Sequence, residues 1–153
     1  MMAPDFPPDP SGHRPVPAHV QEQCVNYAAA QYQIHPLVLH AIAEVEGGQI
    51  GMASRNANGT YDLGVMQINT INLPLIERHF PRVGWRELVW SPCVNIAIGA
   101  WFLRRKIDEV GGDFWRGVGN YHSATPRHHN RYKRLVHDTY QRLRAERMAR
   151  AAN

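Results

Sequence analysis

The stretch PLVLHAIAEVEGG, residues 36–48, decides the fold class. Its apolar residues recur at three- and four-residue spacing, which is typical of a helix that buries one face. Pro36 is a favoured first-turn residue, and the pair Gly47-Gly48 is a strong stop signal. We therefore predict a helix that begins at Pro36 and ends before the two glycines. The buried face of this helix consists of Leu37, Val38, Ala41, Ile42 and Val45.

The same periodicity predicts further helices on both sides of this stretch. One covers residues 18–32, a second opens at Ser91-Pro92 and stops at Gly111-Gly112, and a last one covers residues 127–150. Residues 49–61 lack this pattern, and their Asn58-Gly59 pair is a strong turn signal. The chain is therefore predicted to be mainly α, a single helical domain with a small β-hairpin or loop excursion.

Length and composition exclude several classes of protein. The chain has 153 residues, of which 44% are hydrophobic and 20% charged, as in an ordinary globular domain. The uncharged, apolar-rich stretch at residues 91–103 is 13 residues long and contains Asn95. A membrane-spanning helix needs about 20 residues. The sequence therefore predicts no membrane span, and it excludes a wholly disordered chain or a collagen-like fibre.

Basic residues concentrate at the C-terminus. Eight basic residues against Asp138 and Glu146 give residues 126–153 a net charge of +6, so residues 1–125 carry −2. Such an arm is typical of proteins that bind nucleic acid, anionic lipid or acidic polymers, although a solvated helix face explains it equally well. The nearly neutral body argues against nucleic acid, because phosphate binding usually spreads basic residues over a folded face.

The N-terminus is rich in proline. Six of the eleven prolines lie in residues 1–17, which prevents regular helix, so we predict a flexible leader there. The predicted domain covers residues 18–140, and residues 141–153 are predicted to be a basic helix end or tail. Residues 1–10 lack the apolar segment of a signal peptide. This leaves open a cytosolic chain or a form that lacks its export signal.

Glu46 is the candidate general acid. A carboxyl at the edge of an apolar helical face is partly desolvated, which raises its pKa; a solvated helix-end glutamate is the alternative. Glu44 diverges from Glu46 by about 160° around the helix axis, so the two do not form a pair on one face. Asp62 is the nearby alternative for a second carboxylate, but we interpret it as a turn residue that binds local backbone amides.

Three segments together carry a family resemblance: AIAEVEGG (41–48), SRNANGTYDLGVMQIN (54–69) and GNYHSATPRHHNRY (119–132). They resemble the lytic transglycosylase domain of the goose-lysozyme-like superfamily, and most closely its small members that accompany conjugation and type III or type IV secretion machines. The resemblance covers roughly residues 22–140. Gly64-Val65-Met66-Gln67 matches the family's Gly-Leu-Met-Gln motif. Two positions depart from the family pattern, because Gly47 replaces a serine and His122 replaces an asparagine.

The resemblance implies a lysozyme-like helical fold in which Glu46 is the single catalytic residue. It implies that the substrate is bound by Gly64, Met66, Gln67, Asn69 and Tyr121. Cys24 and Cys93, which by themselves fit either one disulfide or two buried thiols, are paired in related small members. The resemblance implies no cofactor. The adjacent His128 and His129 point different ways on a helix and no HExxH motif occurs, so we predict no metal site.

The activity that the resemblance implies is cleavage of the β-1,4 bond between MurNAc and GlcNAc in peptidoglycan, with formation of 1,6-anhydro-MurNAc. Such an enzyme is exported to the periplasm and opens the wall locally for a secretion or conjugation apparatus. Three alternatives stay open at this point. They are a hydrolytic muramidase, a non-catalytic peptidoglycan-binding assembly factor, and a nucleic-acid-binding protein that uses the arginine-rich helix.

Overall fold

Helices make up most of the protein, which confirms the predicted mainly α fold class. The structure is a computed structural model that describes residues 12–153. These residues form seven α-helices, three short strands and one 3₁₀ helix. The helices are α1 (Ala18–Tyr32), α2 (Pro36–Glu46), α3 (Leu73–His79), α4 (Trp85–Trp90), α5 (Pro92–Glu109), α6 (Phe114–His122) and α7 (Pro126–Ala151). The strands are β1 (Ala53–Arg55), β2 (Tyr61–Leu63) and β3 (Ile68–Asn69), and the 3₁₀ helix is Thr70–Asn72.

Local capping signals set the helix ends. Helix α5 begins at Pro92, and the hydroxyl oxygen of Ser91 accepts a hydrogen bond from the Val94 amide at 3.3 Å. Asp113 caps α6 through the Arg116 amide. Helix α7 runs through the expected boundary at residue 140 without a break. Among the helices of residues 12–153, none is long and apolar enough to cross a membrane.

Two compact units make up the described chain, and α1, α2 and α5 each contribute residues to both. The first unit contains residues 12–24 and 46–99, and the second contains residues 25–45 and 100–153. Among the fully buried side chains of the first unit are Leu63, Met66, Ile76, Leu88 and Ile96. Those of the second unit include Val25, Leu39, Ile42, Leu103 and Ile107.

The strands of the first unit form a three-stranded antiparallel sheet in the order β1-β2-β3. The predicted Asn58-Gly59 turn joins β1 to β2: Gly59 has a positive φ of 87°, and the side chain of Asn58 accepts a hydrogen bond from the Thr60 amide at 3.0 Å. Asp62 on β2 pairs with Asn69 on β3. The sheet therefore holds the YDLGVMQIN block at both of its ends.

Residues 12–17 of the predicted leader are described by the structure, and Arg14 among them pairs with Ile50 through the backbone. The amide of Arg14 donates to the carbonyl of Ile50 at 3.0 Å, and the Ile50 amide donates back at 2.9 Å. The side chain of His13 hydrogen bonds to that of Gln49. Residues 1–11 of the leader lie outside the described residues. The segment that follows Glu46 is thus bordered by residues 13–14.

A disulfide joins α1 to the start of α5, between Cys24 and Cys93, as the resemblance implied. Cys24 is buried, and the two α-carbons are 4.8 Å apart. The two cysteines are 69 residues apart in sequence. On the chain-entropy model, a disulfide that closes a loop of this length stabilises the fold by about 4 kcal/mol, so we expect reduction to lower the free energy of unfolding by that amount. Urea titrations with and without reductant measure this difference. Two thiols that react in never-reduced, unfolded protein would contradict the pairing.

Candidate active site

Glu46 is the last residue of α2, and its side chain is half-buried. Gly47 follows with a φ of 69°, in the left-handed region where glycine is favoured, and this conformation ends the helix. The predicted helix stop therefore occurs where the two glycines stand. It leaves the carboxyl of Glu46 at the end of an apolar helix.

The backbone after Glu46 lies directly against the Gly64–Gln67 turn. A Cβ atom placed on Gly48 would lie 2.0 Å from the carbonyl oxygen of Gly64 and 2.6 Å from that of Val65. No side chain fits at such distances, so only glycine allows this approach. Gly48 follows Glu46 by two residues in sequence, so this contact places the backbone after Glu46 next to the YDLGVMQIN block.

The Gly64–Gln67 turn is closed by two hydrogen bonds to one oxygen atom. The Gly64 carbonyl accepts from the Gln67 amide at 3.1 Å and from Gln67 Nε2 at 2.8 Å. Gln67 has a φ of 53°, which is uncommon outside glycine. The resemblance implies that Gln67 binds the substrate, but its side-chain donor Nε2 is bound to the turn itself. Its carbonyl oxygen Oε1 is the atom that suits a substrate N–H or hydroxyl group.

Asn95, on α5, braces this turn from the core. Its side chain is fully buried: Oδ1 accepts from the Met66 amide at 2.7 Å, and Nδ2 donates to the carbonyls of Leu63 and Leu88, both at 2.8 Å. A Cβ on Gly64 would lie 2.4 Å from Asn95 Nδ2. Sequence reasoning missed this role, although a lone asparagine within the uncharged, apolar-rich stretch at residues 91–103 was the available signal.

Met66 is buried and packs in the core. Its side chain is 0% exposed, and a Cβ on Gly99 of α5 would lie 2.9 Å from Met66 Cε. The family resemblance implies that Met66 binds the substrate. The structure instead favours packing against α5, because a side chain without exposed surface does not reach a substrate in this conformation.

Asp62 and Asn69 bind each other across β2 and β3. Asn69 Nδ2 donates to Asp62 Oδ1 at 2.9 Å and to the hydroxyl of Thr60 at 3.1 Å, and Asn69 Oδ1 accepts from the Ile71 amide. The interpretation of Asp62 as a turn residue is therefore wrong, since it lies within a strand and its partner is a side chain. Asn69 uses both of its polar atoms to hold the sheet and the 3₁₀ helix.

Tyr121 belongs to the second unit, where it lies near the end of α6 and is half-buried. Its ring contacts Phe102 edge-on, with 5.7 Å between centroids, and stacks on Tyr132 at 6.3 Å. Tyr132 is buried and also stacks on His122 at 4.7 Å. Aromatic packing from α5 and α7 therefore fixes the orientation of Tyr121.

Glu44 takes part in an ion-pair network of the second unit. Arg142 on α7 hydrogen bonds to the carboxylates of Glu44 and Glu146. The hydrogen bond that Arg142 donates to Glu44, and next the one that it donates to Glu146, raise the pKa of Arg142. Glu44 is therefore engaged in a salt bridge, which agrees with its exclusion as a partner of Glu46.

Residues 23–143 match the family described as the transglycosylase SLT domain. The chain belongs to the SLT transglycosylase family. The family resemblance stated from the sequence is thereby confirmed. Its match includes Glu46, the Gly64–Gln67 turn and Tyr121, so every predicted substrate or catalytic residue lies inside the family's range.

Three curated relatives illustrate the similarity of this SLT chain to other proteins. Invasion protein IagB of Salmonella typhimurium is 28% identical over 126 residues, which are 79% of this chain and 77% of that protein. Protein IpgF of Shigella sonnei is 30% identical over 131 residues, 83% of each chain. A peptidoglycan-binding-like protein of Escherichia coli O157:H7 is 28% identical over 130 residues, 78% of this chain and 77% of that one.

The two departures from the SLT pattern have structural counterparts. Gly47 adopts a positive φ, and a side chain such as serine is strained in that conformation. His122 stacks its ring on Tyr132, a contact that the shorter asparagine does not supply. Both replacements therefore fit their local backbone or packing.

Proposed function

We propose that this SLT-family chain is a peptidoglycan lytic transglycosylase with Glu46 as its single acid and base. It cleaves the β-1,4 bond between MurNAc and GlcNAc and leaves 1,6-anhydro-MurNAc at the new end. One observation carries the proposal: the half-buried Glu46 ends α2 where Gly48 packs on the Gly64–Gln67 turn. This arrangement offers one partly desolvated carboxyl next to a rigid polar turn, as acid–base catalysis requires.

The reaction needs two proton transfers. Glu46 first donates its proton to the glycosidic oxygen, and the bond to C1 of MurNAc breaks with its electrons going to the departing GlcNAc. The resulting oxocarbenium-like centre is stabilised by the neighbouring N-acetyl oxygen, as in substrate-assisted glycosidases. Glu46, now a carboxylate, removes the proton from the C6 hydroxyl, whose oxygen bonds to C1. Atoms and charges balance without water.

The surroundings of Asp62 support the single-carboxylate scheme over hydrolysis. Asp62 is the only acidic residue between positions 47 and 76. Its Oδ1 accepts a hydrogen bond from Asn69 within the sheet, so it serves strand pairing. An inverting hydrolase needs a second carboxylate that activates water on the opposite face of the sugar. Asp62 is a poor candidate for that task.

We further propose that the protein is exported to the periplasm. There it opens the wall locally for a secretion or conjugation apparatus. The Cys24–Cys93 disulfide supports it, since disulfides persist in oxidising compartments. The names of two relatives agree with it, because one is called an invasion protein and another a peptidoglycan-binding-like protein. Family membership fits peptidoglycan as the partner.

Product analysis tests the activity. Purified sacculi are digested with the protein, and the soluble muropeptides are measured by mass spectrometry. Anhydro-muropeptides are the expected product. Reducing ends in their place would identify a hydrolase, and sacculus binding without release would identify an assembly factor.

The basic end of α7 is expected to add electrostatic attachment to the wall. Because Arg142 is tied to Glu44, the appropriate variant changes only Arg144, Arg147 and Arg150 to Gln. Near 0.01 M salt the Debye length is about 30 Å, so charges attract over a long range and the variant should bind sacculi several-fold more weakly. Near 1 M salt the Debye length is about 3 Å, and the variant should bind nearly as well as the parent protein. Co-sedimentation at both salts measures this. Equal losses at both would mean that the arm acts by packing.

A further inference from the structure

A cavity of about 460 Å³ opens in the second unit, and its walls come from α6 and α7. It is lined by Trp115, Asn130, Lys133, Arg134 and His137. The four residues of α7 follow the three- and four-residue spacing that places them on one helix face. This volume falls in the range of pockets that hold one small ligand.

Trp115 supplies the rigid apolar wall of this cavity. Its ring meets His137 edge-on with 4.9 Å between centroids, and it lies 6.0 Å from the ring of Tyr140 and 5.3 Å from that of Phe114. Three aromatic neighbours thus fix the indole. A rigid ring of this kind contacts aliphatic parts of a ligand with little loss of conformational entropy.

The polar side of the cavity is cationic and lacks counter-charges for Lys133 and Arg134. Three other basic residues of the second unit do have acidic partners, in the salt bridges of Arg104 with Asp108, of Lys106 with Glu109 and of Arg142 with Glu44. Neither Lys133 nor Arg134 has a carboxylate within 4 Å in the described chain. His137 Nδ1 lies 3.7 Å from a carboxylate oxygen of Asp138.

We propose that this cavity binds the carboxylates of the peptidoglycan stem peptide. The inference rests on the proposed function, which supplies the polymer, and it adds a recognition site for the peptide. Lys133 and Arg134 match two carboxylates, Asn130 supplies an amide for the peptide backbone, and Trp115 covers the aliphatic chain of the diamino acid. Stem peptides combine these features in a few residues.

The dimensions of the cavity favour this ligand over an acidic segment of a protein partner. Protein interfaces bury about 800 Å² on each side, over 20–30 residues. A concave site of about 460 Å³ with four polar residues from a single helix instead matches a ligand of a few residues. Stem peptides are also held on the substrate itself, so a weak site gains from the high effective concentration along the polymer.

Calorimetry with the free pentapeptide L-Ala–γ-D-Glu–meso-diaminopimelate–D-Ala–D-Ala tests the proposal on the full chain. Binding is expected, and the double variant Lys133→Gln/Arg134→Gln should weaken it about tenfold, as loss of charge-assisted hydrogen bonds does. The matched control, Arg78→Gln/Arg82→Gln, removes the same charge from exposed positions of the first unit and should change the Kd less than about twofold. Thermal melts check that both variants fold.

Two further ligands decide the specificity of the site. The pentapeptide with amidated carboxylates should bind at least tenfold more weakly, and equal binding would overturn the proposal. An L-amino-acid peptide of equal negative charge should also bind weakly; if it bound as tightly and with the same dependence on Lys133, the site would serve acidic proteins and the proposal would be wrong.

Glycan cleavage separates this proposal from the proposed function. Release of anhydro products from sacculi stripped of stem peptides reports on the catalytic site alone. Pentapeptide binding without any release would overturn the proposed activity and leave the peptide site standing. Release without pentapeptide binding would do the opposite.

Discussion

Replacing Glu46 with Gln should lower the rate of anhydro-muropeptide release at least 100-fold, which is the usual scale for loss of an acid–base catalyst. Glutamine keeps the size and one hydrogen-bond donor of the protonated acid, but it does not transfer a proton. The side chain is half-buried at the end of α2, so the fold and sacculus binding should persist. Initial rates on purified sacculi, with a thermal melt and co-sedimentation of the same variant, measure all three effects.

Two other carboxylates provide the controls for this experiment. Glu44→Gln breaks the ion pair with Arg142, and Asp62→Asn changes the group that accepts from Asn69. Both side chains act in structural contacts, so we expect each variant to retain activity within a few-fold of the parent. If Asp62→Asn were as damaging as Glu46→Gln while the fold stayed intact, a two-carboxylate hydrolase would be the better account.

The sequence predicts the helix ends well because their determinants are local. Pro36 opens α2, Gly47 ends it with a positive φ, and the Ser91-Pro92 pair opens α5 within one residue of expectation. Each of these signals acts through the backbone of its own turn. The position of Glu46 at the end of α2 follows from the same signals, so the candidate acid was accessible without a structure.

The roles of the residues around the Gly64–Gln67 turn depend on contacts between segments distant in sequence. Asn95 meets Met66 across 29 residues and Leu63 across 32, and no local pattern predicts such pairs. The motif assigns Met66 to the substrate, yet its burial depends on the approach of α5 at Gly99. The sequence likewise predicts that Asp62 is a turn residue, because its partner Asn69 lies on a different strand, β3, and no local pattern indicates that contact. A motif thus locates the site but does not tell which of its side chains face outward.

The buried carboxamide of Asn95 leads to the largest expected change in stability. Asn95→Ala removes the hydrogen bonds that this side chain makes, in a fully buried place, to the Met66 amide and to the carbonyls of Leu63 and Leu88. An unsatisfied buried group costs about 1–3 kcal/mol, so the free energy of unfolding should fall by about 5 kcal/mol. That is comparable to the whole stability of many domains. Urea titration followed by circular dichroism measures the loss.

Two further substitutions separate hydrogen bonding from simple loss of volume. Asn95→Asp keeps the acceptor for the Met66 amide but turns its second oxygen towards two carbonyls, so it should destabilise the protein at neutral pH nearly as much as alanine does. Asn26→Ala removes the same group from an exposed position of α1 and should change the free energy of unfolding by less than about 0.5 kcal/mol. Because Asn95 holds the turn against which Gly48 packs, its alanine variant should also lose cleavage activity at temperatures where it is still folded. A stable and fully active Asn95→Ala protein would show that the turn keeps its shape without this brace, and that the position of Glu46 does not depend on it.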